Sequence, residues 1–496
     1  MTKIYCNEFD GGVAESNYDT RANVASDMYH LSATIDPKVL RNFRANQKDT
    51  LSGGSTAVYC FDGAPRSTGT FIGLGHDNGS PAQAKFFRKN NNDMNSYWQI
   101  SSSNASPSTA YTPYYNGCFA YKTYVFGVCY TSSGATVSLY RYEGDANTTS
   151  FSTISPTTAS TTMANPIVHS QDNIAYFGIG TTISKFDGTT FTGNVLALPY
   201  TILSITEYGS YLAILCLTDN NKAVVYLWGR DTSITTLQEL FLAGDDRPVT
   251  MVNINGVLVV ATHSNSASSP YLEDRLTCRG LYGGRFVVLK SIPVRSGFGF
   301  SKKWVVWKDV GYILNQQDTY LYSFGWNKKG EFYIAKDRAG IYDGESNSFC
   351  YNFFNIGDYF CFANSDGKVM TTYNSNPLYS VIDGYWHSIP NPCMAQQAPR
   401  DLPKMKQIKS VWARFYANSA GYGTATMKLT ADADSQVTIF SESAPASKNL
   451  FVIEASARSD GSPIGSGRDL KFQLITDQGI DIIDYGYEYE VEETQI

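Results

Sequence analysis

The chain has 496 residues, 43% hydrophobic and 17% charged, with 39 Lys and Arg against 45 Asp and Glu. That is too apolar for a disordered chain, and no stretch reaches the ~20 consecutive apolar residues of a membrane-spanning helix. A net charge of −6 argues against nucleic acid as the main partner.

Aromatic residues make up 14% of the chain, with 35 Tyr, 27 Phe and 7 Trp, and there are 41 Gly. Aromatic and β-branched residues suit pleated, half-buried surfaces, and Gly and Asn suit tight turns, so the composition predicts an all-β fold. The 9 cysteines are odd in number. None shows the close spacing of a zinc site, which leaves buried free thiols of the kind found in a reducing cytoplasm and no metal or cofactor. The first residues lack the basic and apolar regions of a secretion signal.

Residues 1–54 are polar and irregular and read as an N-terminal arm. Within it, Asp36–Asn46 suggests a turn or two of helix, with Asp36 as cap and Pro37 at the first helical position.

Residues 55–389 repeat one texture: apolar or aromatic runs of strand length, parted by Gly, Asn and Asp. Asp62-Gly63, Asn116-Gly117, Asp187-Gly188, Asn255-Gly256, Asp343-Gly344, Asp366-Gly367 and Asp383-Gly384 are predicted hairpin turns, because such pairs tolerate positive φ. An apolar residue, Asp-Gly, then an aromatic recurs at Phe186 to Phe191, Tyr342 to Phe349 and Ile382 to Trp386. Stacked antiparallel hairpins that pack on one another through aromatics would show this pattern. At roughly 40–50 residues per four-stranded blade, the region holds about seven blades of a β-propeller.

Four prolines between 390 and 403 mark a linker. From 404 to 496 the alternation is cleaner: Val411, Ala413, Phe415; Ala425, Met427, Leu429; Val437, Ile439; Phe451, Ile453; Leu470, Phe472, Leu474; Ile480, Ile482. Six such strands predict a small β-sandwich domain, and Tyr485–Glu493 reads as one further strand with an exposed face rather than an acidic tail.

No motif of nucleotide binding, zinc proteolysis or serine hydrolysis is present. His30, His76, His169, His263 and His387 are scattered. Propellers can be glycosidases, which need paired carboxylates. Asp245 with Asp246, and Glu273 with Asp274, are adjacent in sequence and would point to opposite faces of a strand, so they read as loop residues. The chain is therefore expected to have no catalytic residues. Two tyrosine groups, Tyr111 with Tyr114 and Tyr115, and Tyr320 with Tyr322, suit either blade packing or stacking on glycans.

The opening Glu8-Phe9-Asp10-Gly11-Gly12-Val13, then Leu31 to Asp36 and Leu40-Arg41, resembles the start of tailed-phage virion β-propeller proteins. The close, Lys404 to Phe415 and Ile480 to Tyr489, resembles the C-terminal sandwich that such proteins carry. The resemblance implies a structural tail component, similar to nozzle or hub proteins, in a ring usually of six copies around the DNA channel. Its implied partners are further copies of itself and other tail or neck proteins, with DNA passing without specific binding. It also implies assembly in the bacterial cytoplasm and residence in the virion. An acidic conduit repels the phosphate backbone and avoids holding it. Phe9, Gly11 and Gly12 are the candidate contact residues, since Gly-Gly permits close backbone approach. The alternative is a receptor-binding or lectin-like propeller that recognises host-surface glycans.

Overall fold

A computed structural model describes residues 2–6, 12–13, 24–29, 31–32, 41–42, 45–50, 58–65, 71–77, 84–89, 98–100, 111–131, 133–144, 147–220, 222–231, 238–241, 247–264, 274–294, 300–315, 320–327, 330–337, 350–356, 359–364, 368–372, 393–397, 405–417, 421, 423–432, 435–468, 470–476 and 480–491. Strands dominate them and none is helical.

Seven four-stranded antiparallel sheets follow one another along the chain. They are blade 1 (Val58–Pro65, Phe71–Asp77, Ala84–Lys89, Trp98–Ile100), blade 2 (Tyr111–Tyr121, Tyr124–Thr131, Val137–Gly144, Asn147–Ser150) and blade 3 (Ile167–Val168, Ala175–Ile179, Thr182–Phe186, Phe191–Ala197). Blade 4 is Thr201–Tyr208, Tyr211–Leu217, Ala223–Trp228 and Gln238–Phe241, and blade 5 is Arg247–Ile254, Val257–Ser264, Arg275–Tyr282 and Arg285–Pro293. Blade 6 is Phe300–Trp307, Val310–Asn315, Tyr320–Trp326 and Phe332–Asp337. Blade 7 takes three strands in sequence, Cys350–Ile356, Tyr359–Asn364 and Lys368–Thr372, and its fourth from the far end of the chain, Ala45–Thr50.

The first strand of blade 7 lies against the first strand of blade 1, so the ring closes and the fold is a β-propeller. Radial repetition solves the edge problem of a chain this rich in strands.

Blades pack through aromatics, as the recurring pattern predicted. Phe186 sits 5.6 Å from Tyr121, 5.3 Å from Phe126 and 4.9 Å from Phe151, joining blades 2 and 3. Each such buried ring is worth roughly 1.5–3 kcal/mol over an exposed one. The later copies of the pattern, Tyr342 to Phe349 and Ile382 to Trp386, lie outside the described residues.

Two compact units divide the chain: 47–319 with 343–371, and 1–46 with 320–342 and 372–496. The first carries the inner strand of every blade; the second carries a β-sandwich. One sandwich sheet runs Thr2–Cys6, Ile480–Val491, Lys406–Ala417, Leu450–Ala455, with Gly465–Gly467 also on Lys406–Ala417. The other runs Gly12–Val13, Val24–Tyr29, Cys393–Gln397, Leu470–Thr476, Thr424–Ala431, Val437–Ser443. Their inner faces share a core of Val411, Ala413, Phe415, Met427, Leu429, Phe472, Ile480 and Ile482, the alternating set read from sequence. In the last strand Tyr485, Tyr487 and Tyr489 also turn inward.

Two local expectations are corrected. Arg41–Asn42 and Ala45–Thr50 are strands, so the segment read as helical is extended where it is described. Arg41–Asn42 pairs with Leu31–Ser32 and Ala45–Thr50 is the last strand of blade 7, so strand pairing overrides local propensity. Cys393–Gln397, inside the stretch read as linker, is a strand between Val24–Tyr29 and Leu470–Thr476. The prolines at 390, 392, 399 and 403 flank this strand and leave its ladder intact.

The hairpin pairs divide. Asn255-Gly256 makes a two-residue turn with φ of 52° and 81°, as a primed turn requires. Asp187-Gly188 opens a longer turn, where Asp187 Oδ1 accepts bonds of 2.8 Å from Thr189 N, Thr189 Oγ1 and Thr190 N. Asp62-Gly63 and Asn116-Gly117 are not turns at all but lie within inner strands. Asp343-Gly344, Asp366-Gly367 and Asp383-Gly384 lie outside the described residues.

Candidate functional site

The misread pairs lead to the axis of the ring. Six inner strands slip register against their neighbours: at Cys60/Asp62, Pro113/Cys118, Ile202/Ser204, Pro248/Thr250, Phe300/Trp304 and Cys350/Asn352. A bulge kinks a strand and re-aims a side chain. At or within each slip stands a polar residue: Asp62, Asn116, Ser204, Thr250, Lys303 and Asn352. Asn165, just before the short inner strand of blade 3, supplies the seventh. Apart from Lys303, all are buried.

Their partners show that they meet across the ring. Lys303 Nζ of blade 6 donates to both Asp62 oxygens of blade 1, at 2.8 and 2.9 Å. Asn165 Nδ2 donates to Trp304 O at 2.8 Å, from blade 3 to blade 6. Asn352 Nδ2 of blade 7 donates to Tyr115 O of blade 2. None of these pairs of blades are neighbours, so the bonds run through the middle. Shorter ties hold the others except Thr250, whose buried hydroxyl has no hydrogen-bond partner among the described residues. Asp62 also accepts from Gly63 N at 2.8 Å and Cys118 N at 3.0 Å, Asn116 Nδ2 bonds Asn165 Oδ1 at 3.2 Å, and Ser204 Oγ donates to Met251 O at 3.0 Å.

The glycines at the slips allow the strands to converge. A Cβ on Gly63 would stand 2.5 Å from Phe354 Cε2, and one on Gly117 would stand 2.7 Å from Val128 O. The dipeptides thus pair a polar reach toward the axis with a close approach behind it.

Burial pushes the Asp62 carboxyl above the usual carboxylate range, against the pull of the Lys303 ammonium. Glycosidic hydrolysis needs two carboxyl groups facing one substrate bond. The described inner strands carry two carboxylates, Asp62 and Glu207. Asp62 is spent on Lys303, and Glu207 accepts from Ser170 N at 3.1 Å and from Ser170 Oγ. No group of three or more metal-binding side chains occurs among the described residues.

The remaining sequence candidates scatter. Phe9 and Gly11 lie outside the described residues, and Gly12 pairs in parallel with Val24 in the sandwich. His169 is buried with Nδ1 3.0 Å from an Arg230 nitrogen, part of a polar latch between blades 3 and 4. His263 and Asp274 are buried; the side chains of His30, His76, His387, Asp245, Asp246 and Glu273 lie outside the described residues. Tyr114, Tyr320 and Tyr322 are buried, with Tyr114 OH donating to Ser160 O at 2.8 Å, whereas Tyr115 is exposed. The two tyrosine groups are therefore largely packing residues. Cys118, Cys129, Cys216, Cys278 and Cys361 are buried and outside any disulfide, as expected for small apolar fillers. No described helix is long and apolar enough to cross a membrane.

No protein-family model and no curated protein sequence matches the chain. Among solved structures, the WD40 domain of Toxoplasma gondii coronin is similar at 10% identity and a TM-score of 0.42, over 71% of this chain and 87% of that one. A Trypanosoma rangeli sialidase is similar at 9% identity and 0.34, over 90% and 95%. An exo-β-1,3-galactanase of Phanerochaete chrysosporium is similar at 10% and 0.31, over 90% and 96%. Likenesses at these scores carry no inference about chemistry, and the sheet order is what defines the propeller.

Proposed function

We propose that the chain is a structural component of a bacteriophage tail, of nozzle or hub type, that assembles as a ring of copies around the DNA channel and performs no chemistry. The observation that carries this reading is the axis. Lys303 and Asp62 pair across the ring, and Asn165 and Asn352 reach backbone carbonyls of distant blades, which supports a stiff wedge rather than a reaction centre. The resemblance of both chain ends to tailed-phage propeller proteins supports the same reading, and a net charge of −6 suits a conduit that DNA must leave freely. Other tail and neck proteins are the proposed partners, with assembly in the host cytoplasm.

Mass photometry and electron microscopy of the purified chain, alone and with the products of neighbouring genes, test the proposal. A closed cyclic particle is expected, with no turnover of chromogenic glycosides. A strictly monomeric chain that joins no particle overturns it.

A further inference from the structure

Two sheet edges leave aliphatic side chains in water. Arg285–Pro293 is the outer strand of blade 5, with Val287 44% and Val288 60% exposed. Leu450–Ala455 ends a sandwich sheet, with Leu450 50% and Val452 53% exposed. An edge that shows both unpaired backbone and aliphatic surface is a template for another strand. Proteins commonly blunt such edges with a bulge. The slip in blade 5 falls only after Val288, so Arg285–Val288 stays regular.

The charges of the two edges are opposite. Arg285–Pro293 carries Arg285 and Lys290 and no acid, whereas Leu450–Ala455 carries Glu454 alone. Arg285 and Glu454 are both exposed. Side chains two apart share a strand face, so Arg285 goes with Val287 and Glu454 with Val452. Laid antiparallel with Val287 opposite Val452, the strands bring Arg285 opposite Glu454, within the regular stretch that precedes the slip at Leu289. Self-pairing of either strand centred on its valine does worse. It runs Arg285 into the slip at Leu289, or sets Glu454 against Leu450, and gains no ion pair.

We infer that the blade 5 edge of one copy receives the sandwich edge of a second copy of this chain, antiparallel, with Val287 facing Val452. The contact uses different surfaces on its two sides, so it is head to tail, the type that generates rings when the rotation closes. The inference rests on the ring reading above and names the surfaces that build it.

Charge swapping in the full chain tests it. Arg285→Glu and Glu454→Arg are each expected to lower the assembled fraction in mass photometry at least tenfold, and the double variant to restore it. Val287→Cys with Val452→Cys, oxidised, is expected to give covalent multiples of the chain, beyond those of the parent chain with its native cysteines. Mixing the two single-cysteine variants is expected to give dimers. Rings that ignore both single charge variants, or a double-cysteine product at monomer mass, overturn the strand pairing and leave the ring reading standing. A parent chain that stays monomeric at every concentration overturns the ring reading and the pairing with it.

Discussion

Lys303 holds Asp62 from across the ring, its Nζ 2.8 and 2.9 Å from the two carboxylate oxygens, though 241 residues separate them in sequence. Removing one partner of a buried ion pair strands the other charge, at a cost of about 3–5 kcal/mol. Lys303→Met is expected to lower unfolding free energy by that order at neutral pH. The sign with pH follows from Asp62. Without the lysine, burial is opposed only by bonds such as those from Gly63 N and Cys118 N, on a carboxyl whose folded pKa already stands above its usual range. The folded state then takes up a proton at pH values where the unfolded carboxyl, near 3.9, is still ionised. The deficit is greatest at neutral pH and shrinks on acidification. Urea titrations at neutral and mildly acid pH check this, and Asp62→Asn in the same chain should recover much of the loss.

Gly117→Ala places a methyl 2.7 Å from the Val128 carbonyl, a backbone atom of the adjacent strand. The strand must shift, and overpacking of this kind costs about 1–3 kcal/mol. A lowered melting temperature is expected. An unchanged one would mean that the inner strands are less constrained than the bond pattern implies.

Asp187 sits in an exposed turn, and three hydrogen bonds, from Thr190 N and from the Thr189 backbone and hydroxyl, hold its carboxyl down at about 2. The folded pKa is depressed, so the stabilisation is present above the unfolded value near 3.9 and is lost as pH falls from there to about 2. Solvent screens such a group, so the effect is expected to stay below about 1 kcal/mol. The stability difference between the parent chain and Asp187→Asn should vary over that acid window and flatten above it.

Deleting residues 1–50 removes the fourth strand of blade 7 and the sandwich strands Thr2–Cys6, Gly12–Val13 and Val24–Tyr29. Lys368–Thr372 becomes an open edge, and Ile480–Val491 loses a neighbour. The truncated chain is expected to aggregate or to be cut rapidly by protease, read by light scattering and limited proteolysis. A truncated chain as resistant as the parent would contradict the closure by Ala45–Thr50.

Much of this architecture is written in local pattern. Short apolar runs parted by turn residues gave the blades, Asn255-Gly256 gave a true primed turn, and Val411, Ala413 and Phe415 gave the sandwich core. The axis was not legible. Asp62-Gly63 and Asn116-Gly117 carry the same dipeptides as hairpin turns, and only their partners, tens to hundreds of residues away, distinguish them. Both pairs lie inside otherwise apolar or aromatic runs, and this was the one signal that could have set them apart. Ala45–Thr50 and Cys393–Gln397 were missed because neighbouring strands, not their own propensities, make them extended.

The strand that completes blade 7 also sets a timetable. Ala45–Thr50 leaves the ribosome before the rest of its sheet, which begins at Cys350, roughly 300 residues later. At bacterial or eukaryotic elongation rates that is a wait of about 15–60 s. A greasy segment held back so long would invite misassembly, but this one reads Ala-Asn-Gln-Lys-Asp-Thr, with a single apolar residue. Its polarity lets the nascent chain carry its own fastener in water until there is something to fasten.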